Sequence, residues 1–278
     1  MKEIRTVSQL IDALSRGEKY IVGPRTRLQP VYQPSKEEQN FCISVAGHRI
    51  AVHSQYADVA RLCEPYFCDL PPECEIRITD EDIAFERRDS QSTSYSRREG
   101  YFETLSLYRK ISEEVLAYNT FLMHGAVVAS KDCAFMFTAP SGTGKTTQIK
   151  KWLDQVEGAF VVNGDKPLIK VTETEALACG TPWCGKENMG TNTMVPLKAI
   201  VLMKRGVDNL MEEIAYGEAY SFLLQQTYWP SAADKQKKTL ELLSELKGKV
   251  RFFSFIFNNF KDDALSVPYH ALMAGSEQ

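Results

Sequence analysis

From Cys133 to Gln148 the chain reads CAFMFTAPSGTGKTTQ, an apolar run, then a turn with glycines at 142 and 144, then a lysine and two threonines. The apolar run lacks polar alternation, which is the pattern of a strand buried on both faces. KTTQIKKWLDQVEG after it has helical spacing. A buried strand that turns through glycines straight into a helix confines this chain to a layered α/β core, with the turn at the sheet's edge.

The turn nearly fits the phosphate-binding spacing G-x-x-x-x-G-K-[ST]. Ala139 takes the first place, and Pro140, Ser141, Gly142, Thr143, Gly144, Lys145 and Thr146 follow. The physics survives the alanine. Gly142 and Gly144 let backbone amides point inward, and the helix start supplies the positive end of a dipole. Lys145 reaches the outer phosphates, and the Thr146 hydroxyl is a metal ligand. Ser141 to Thr147 are therefore the candidate nucleotide-binding residues. The other reading is a glycine turn that only caps a helix.

A nucleoside triphosphate site also needs a carboxylate for magnesium. GAFVVNGDKPLI supplies an apolar strand ending in Asn163, Gly164 and Asp165. Asp165 is thus the candidate metal ligand beside Thr146, against the plainer reading of a turn residue at a strand end. Lys166 reads equally as a phosphate ligand or a solvated side chain.

Composition narrows the partners. The 278 residues carry 33 basic and 36 acidic side chains, a net charge of -3, so no bulk field recruits nucleic acid or an anionic membrane. No apolar run approaches the ~18 residues of a spanning helix, because Lys131 and Asp132 interrupt the best candidate, and the first residues lack a signal-peptide core. A cytoplasmic protein is expected. Its seven cysteines, odd in number and without a C-x-x-C pair, read as reduced thiols.

Three regions follow from the patterning. Residues 1–40 read as a helix over 6–16 plus a Pro- and Gln-rich connector. Residues 41–100 read as strand-rich: FCISVAGHRIAVHS as a hairpin, CEIRITDEDIAFERR as a repeat of that pattern, a short helix near YADVARLC, and an exposed loop from Asp89 to Gly100. Residues 101–278 hold an amphipathic helix over 101–118 and then the α/β core. CGTPWCGKENMGTN reads as a glycine-broken loop, too polar for a buried element. Lys186 and Glu187 in it are candidates to neutralise a transferred phosphate and to accept a proton, or else an ordinary solvated pair.

SGTGKTT, the His124-Gly125 pair upstream, the strand ending in Asp165, and GTPWCGKENMGTNTMVPLKAIVLMKR together resemble the HPr kinase and phosphoenolpyruvate carboxykinase superfamily, with the similarity running from Tyr101 to Arg205. Within it the chain is most similar to HPr-kinase-like bacterial proteins that phosphorylate serine. The resemblance implies an α/β (α+β) fold with a P-loop kinase core on a mixed β-sheet, ATP and Mg2+ as cofactors, and a serine hydroxyl on a small protein or peptide as acceptor. Charge and composition, as above, argue for no nucleic acid and no membrane partner, and self-association stays open. His124 falls where such kinases place a histidine beside the reacting phosphate.

One departure matters. The family's strand commonly ends in two adjacent aspartates, the first acting as base, whereas here Gly164 precedes Asp165. Three readings stay open: Asp165 does both jobs, His124 or Glu187 substitutes, or the chain is a nucleotide-binding regulator or pseudokinase without efficient transfer. A carboxykinase is disfavoured, because Arg205 and Arg251 alone do not assemble a dicarboxylate grip.

Overall fold

The computed structural model describes residues 2–4, 20–22, 36–89 and 99–274. Two compact units divide at Ser35. In the first, β1 (Lys2–Ile4) pairs in parallel with β2 (Tyr20–Val22). The helix expected over 6–16 lies outside the described residues, as does the 90–98 part of the expected loop.

In the second unit, β3 (Gln39–Val45) and β4 (His48–Ser54) form the expected hairpin. Its turn, Ala46-Gly47, has φ of 53° and 79°, the left-handed pair that suits strand twist. A short helix, α1 (Ala57–Cys63), follows, and β5 (Cys74–Arg77) adds in parallel to β4. The second half of the expected repeat is instead a helix, α2 (Asp80–Asp89). The reason is a capping box. Thr79 N–H donates to Asp82 Oδ2 at 3.0 Å, and Asp82 N–H donates back to Thr79 Oγ1 at 3.3 Å. Three acidic residues, Asp80, Glu81 and Asp82, then sit in the first turn against the helix dipole.

The amphipathic run becomes α3 (Glu99–Glu114), continued by a 3-10 turn over Val115–Tyr118. Phe102, Leu107, Ile111 and Val115 pack on Ile43, Val45, Ile50 and Val52 of the small sheet, closing a first core. On the same helix, fully buried Glu103 accepts the backbone N–H groups of Gln55 and Tyr56, which open α1. Burial pushes its carboxyl up to about 7, against those two hydrogen bonds and the Lys36 charge, which pull it down.

The sign for stability follows from that direction. A carboxyl that holds its proton in the fold up to about 7, but only to 4.5 when unfolded, stabilises the fold below 4.5 and loses that contribution as pH rises towards 7. Within that window each pH unit costs about 1.4 kcal/mol. In Glu103→Gln this component of the slope should vanish, leaving a pH-independent offset from the lost backbone contact. Urea titrations of both proteins between pH 4.5 and 7 check it, and an unchanged slope in the variant would refute the assignment.

Among the described residues the larger sheet has nine strands. After β6 (Thr120–Leu122), the strands β7 (Ala126–Ser130) and β8 (Cys133–Thr138) form a hairpin on the Lys131-Asp132 turn, and the glycine loop leads into α4 (Lys145–Gln155). Then come β9 (Phe160–Asn163), β10 (Leu168–Val171), β11 (Ala176–Cys179) and the long β12 (Met194–Arg205). Beyond it lie β13 (Leu210–Ile214), α5 (Tyr216–Gln226), α6 (Ala233–Glu245), β14 (Arg251–Phe257) and α7 (Ser266–Met273).

The strand order is β6-β10-β11-β12-β8-β7-β9, with β14 on β12 and β13 on β14. β12 joins two parts. Its first residues pair antiparallel with β11, and from Ala199 onward it lies parallel between β8 and β14. The sheet is therefore mixed, as the resemblance implied. Alternation along β8 explains the apolar run: Ala134 and Met136 enter a core with Leu223, Leu242 and Leu243 from α5 and α6, whereas Phe135 and Phe137 enter the opposite core with Ile149 and Trp152 of α4. Both faces are covered, so a polar residue on β8 would be buried whichever way it pointed.

All seven cysteines are free thiols, with the sulfurs of Cys42 and Cys68 3.2 Å apart. Among the described residues no helix is long and apolar enough to cross a membrane.

Candidate functional site

The site grows from the ends of two strands. β8 delivers the 139–144 loop and β9 delivers Asp165, while β7, between them, begins two residues after His124. Gly142 and Gly144 have φ of 80° and 122°, values that a side chain resists. At Gly144 a Cβ would also stand 2.6 Å from the Phe257 ring. The loop is braced from within by Thr143 Oγ1 donating to Pro140 O at 2.9 Å, and from outside by the Arg205 guanidinium donating to Gly142 O and Thr143 O. Sequence reasoning weighed Arg205 only as a substrate grip.

Lys145 is 8% exposed and donates Nζ–H to Ala139 O at 2.8 Å. Burial pulls its ammonium below the ordinary lysine range, and Lys166 adds to that while Asp165 opposes it. Gln148, three residues on and so on the same helix face, is fully buried with neither carboxamide atom hydrogen-bonded among the described residues. Thr146 and Thr147 are half-buried, and Ser141 is exposed.

Asp165 is held by a residue whose role only the fold reveals. Asn163, fully buried, accepts the N–H of Asp165 at 2.9 Å and that of Lys166 at 2.7 Å on its Oδ1. Its Nδ2 donates to the hydroxyl and carbonyl of Thr181 at 2.9 and 3.1 Å. The Thr181 hydroxyl in turn donates to Lys166 O at 2.8 Å. This closed network fixes the turn that presents the Asp165 carboxylate.

Across the turn, His124 Nε2 lies 3.3 Å from Asp165 Oδ1, and its Nδ1 lies 2.9 Å from Gln226 Oε1. The backbone repeats the link, with Gly125 N–H donating to Asp165 O and His124 N–H to Gln226 O. Burial pushes the Asp165 carboxyl up, but the His124 hydrogen bond and the charges of Lys166, His124 and Lys145 outweigh it and hold the group below the usual carboxylate range. Lys166 also lies 5.9 Å from the centre of the Tyr108 ring, which packs edge-on against Trp183.

His124, Lys145 and Asp165, with Lys166, are thus one cluster. Glu187 sits apart from it, paired at 3.1 Å with Lys150 on α4, and both side chains are half exposed. Lys186 is exposed.

The loop carrying them differs from expectation. It has no regular structure, but Thr181, Pro182 and Cys184 are buried. The polar network from Asn163 satisfies that arm, Trp183 Nε1–H donates to Thr104 O at 3.3 Å, and Thr191 N–H donates to Val162 O at 3.1 Å. Gly164 permits this approach, because a Cβ there would lie 2.7 Å from Cys184 O and 3.1 Å from Met189 O. The place where an adjacent aspartate was looked for is filled by backbone carbonyls.

Asn209 caps a turn: its carboxamide donates to Asn258 O and Asp263 Oδ1 and accepts the Asn258 N–H. Among the described residues no group of three or more His, Cys, Asp or Glu side chains could hold a metal by itself.

No protein-family model matches the chain, and no curated protein matches it. Among solved structures it is similar to the Hpr(Ser) kinase/phosphatase from Coxiella burnetii, at 10% identity and a TM-score of 0.32, over 55% of this chain and 93% of that one. The likeness is distant, too loose for residues to be read from one chain onto the other.

Proposed function

We propose that the chain is an ATP-dependent kinase that moves the terminal phosphate to a hydroxyl, with a serine of a small protein or peptide as acceptor. The observation that carries this is the Asp165 carboxylate, 3.3 Å from His124 and flanked by the charges of Lys145 and Lys166, at the end of the strand two places from the glycine loop. Phosphoryl transfer passes through a loose transition state, so positioning and charge neutralisation do most of the work.

The cluster supplies both. Lys145 and Lys166 are cations beside the loop. The His124 ring is held between the Asp165 carboxylate at Nε2 and the Gln226 carboxamide at Nδ1. Asp165, held ionised, and the Thr146 hydroxyl are the groups that would hold Mg2+, which when bound neutralises charge on the phosphates. A carboxylate held below its usual range is a weak base, so deprotonation of the acceptor is left late in the reaction. In this reading the protein works in the cytoplasm, where ATP and magnesium are held, and takes neither nucleic acid nor membrane as partner.

A second reading, a nucleotide-binding regulator, is favoured by one observation: Gly164 has no room for a side chain, so an aspartate base is excluded there. Transfer of labelled terminal phosphate to a library of serine-containing peptides separates the two, with wild type beside Asp165→Asn. Label on serine that drops by ~100-fold or more in the variant is expected of the kinase. Tight ATP binding with no labelled peptide would move the protein to the second reading.

A further inference from the structure

A triphosphate held with its reacting end at Lys145, Asp165 and His124 must send its nucleoside out of the loop on another side. A cavity of about 470 Å³ adjoins the loop, lined by Thr143, Gly144 and Thr147 of the loop and its helix and by Arg205, Val207 and Phe260 from later in the chain. None of the reacting-end residues lines it.

Its rim is unusual for a surface. Phe260 is 95% and Val207 81% exposed, the two most exposed large apolar side chains among the described residues. Both stand on loops that are otherwise tied down. Asn258 Nδ2 donates to Val207 O, Phe260 N–H donates to Asn258 Oδ1 at 3.0 Å, and Lys261 pairs with Asp208. The apolar faces are therefore held out by a built scaffold. Asn259, which also lines the cavity, is exposed, and its carboxamide has no hydrogen bond among the described residues.

We propose that this cavity binds the base of the nucleotide, with the Phe260 ring stacking on it, Val207 covering its other side, and the Asn259 carboxamide meeting its edge. Three features agree. A base has an apolar face and a polar edge, which matches an aromatic side chain beside a free amide. A carboxamide offers one donor and one acceptor side by side, the complement of an adenine edge. Thr147 and Gly144 belong both to the phosphate loop and to the cavity, so one ligand can span the two. Arg205, whose guanidinium is already engaged with Gly142 O and Thr143 O, ties the cavity wall to the loop that would hold the phosphates.

The proposal rests on the nucleotide reading above, and the test separates the two. Calorimetric titration with ATP plus Mg2+, and separately with inorganic tripolyphosphate plus Mg2+, is run on wild type, Phe260→Ala, Phe260→Tyr and Lys145→Ala. Phe260 is nearly fully exposed, so its replacement leaves the fold intact. The expected result is a loss on the order of tenfold in ATP affinity for Phe260→Ala, the weight of one base–aromatic stack, with tripolyphosphate unchanged and Phe260→Tyr like wild type. Lys145→Ala should weaken both ligands. If Phe260→Ala leaves ATP affinity intact, or weakens both ligands equally, the base site is wrong while the nucleotide reading stands. If wild type binds neither ligand, both fall together.

Discussion

Replacing Gly164 by Asp should cost about 3 kcal/mol of folding stability and install no base. The physical reason is the neighbour, not the new charge. A Cβ at 164 would stand 2.7 Å from Cys184 O and 3.1 Å from Met189 O, and both are backbone atoms of a loop pinned by Asn163 and by Thr191. Neither carbonyl can step aside without breaking that pinning. An added carboxylate would also face two carbonyl oxygens and adjoin the ionised Asp165, which is repulsive on each count. Gly164→Ala should show most of the same loss, because the clash begins at Cβ. Equilibrium unfolding in urea reads both variants. A Gly164→Asp protein of wild-type stability that also gained phosphoryl transfer would overturn this account of the strand end.

Lys145→Ala carries the second large effect. The variant should bind ATP at least ~100-fold more weakly, since it deletes the one lysine of the loop, next to amides that cannot replace a full charge. Part of the effect is local. Ala139 O loses its 2.8 Å partner in a site where Ala139 is fully buried, so a stability cost of ~1–2 kcal/mol should accompany the lost affinity. Burial holds the ammonium below the ordinary lysine range, so wild-type ATP affinity should decline at a lower pH than an exposed lysine would set. Fluorescence titration with a labelled nucleotide at several alkaline pH values checks both statements. ATP affinity unchanged in Lys145→Ala would remove the phosphate reading of the whole loop.

Much of the sheet was legible because its signals are short-range. The left-handed pairs Ala46-Gly47 and Lys131-Asp132 each close a hairpin that the apolar patterning on either side had marked. Over Asp80–Asp89 the same kind of alternation misled. Strand-like patterning there lost to a capping box at Thr79 and Asp82, three residues apart, a signal that was present but not read. β6, β11, β13 and α5 were not read as elements. β6 and β11, three and four residues long, are too short to show a period.

Sequence by itself determined the strand–loop–helix unit, the candidate phosphate loop and Asp165 as a residue to watch, because spacing along the chain carries those signals, whereas His124 was marked only by the family resemblance. Only the tertiary structure decided how they meet. Gln226 is 102 residues from the histidine it orients, and Thr181 is 18 from the asparagine it locks. Glu187, near Asp165 in sequence, ends on Lys150 instead. A glycine in a sequence says only that the backbone is free to turn. That Gly164 is there to admit two carbonyls follows from where the 184–189 backbone runs, which close packing settles and no local pattern records.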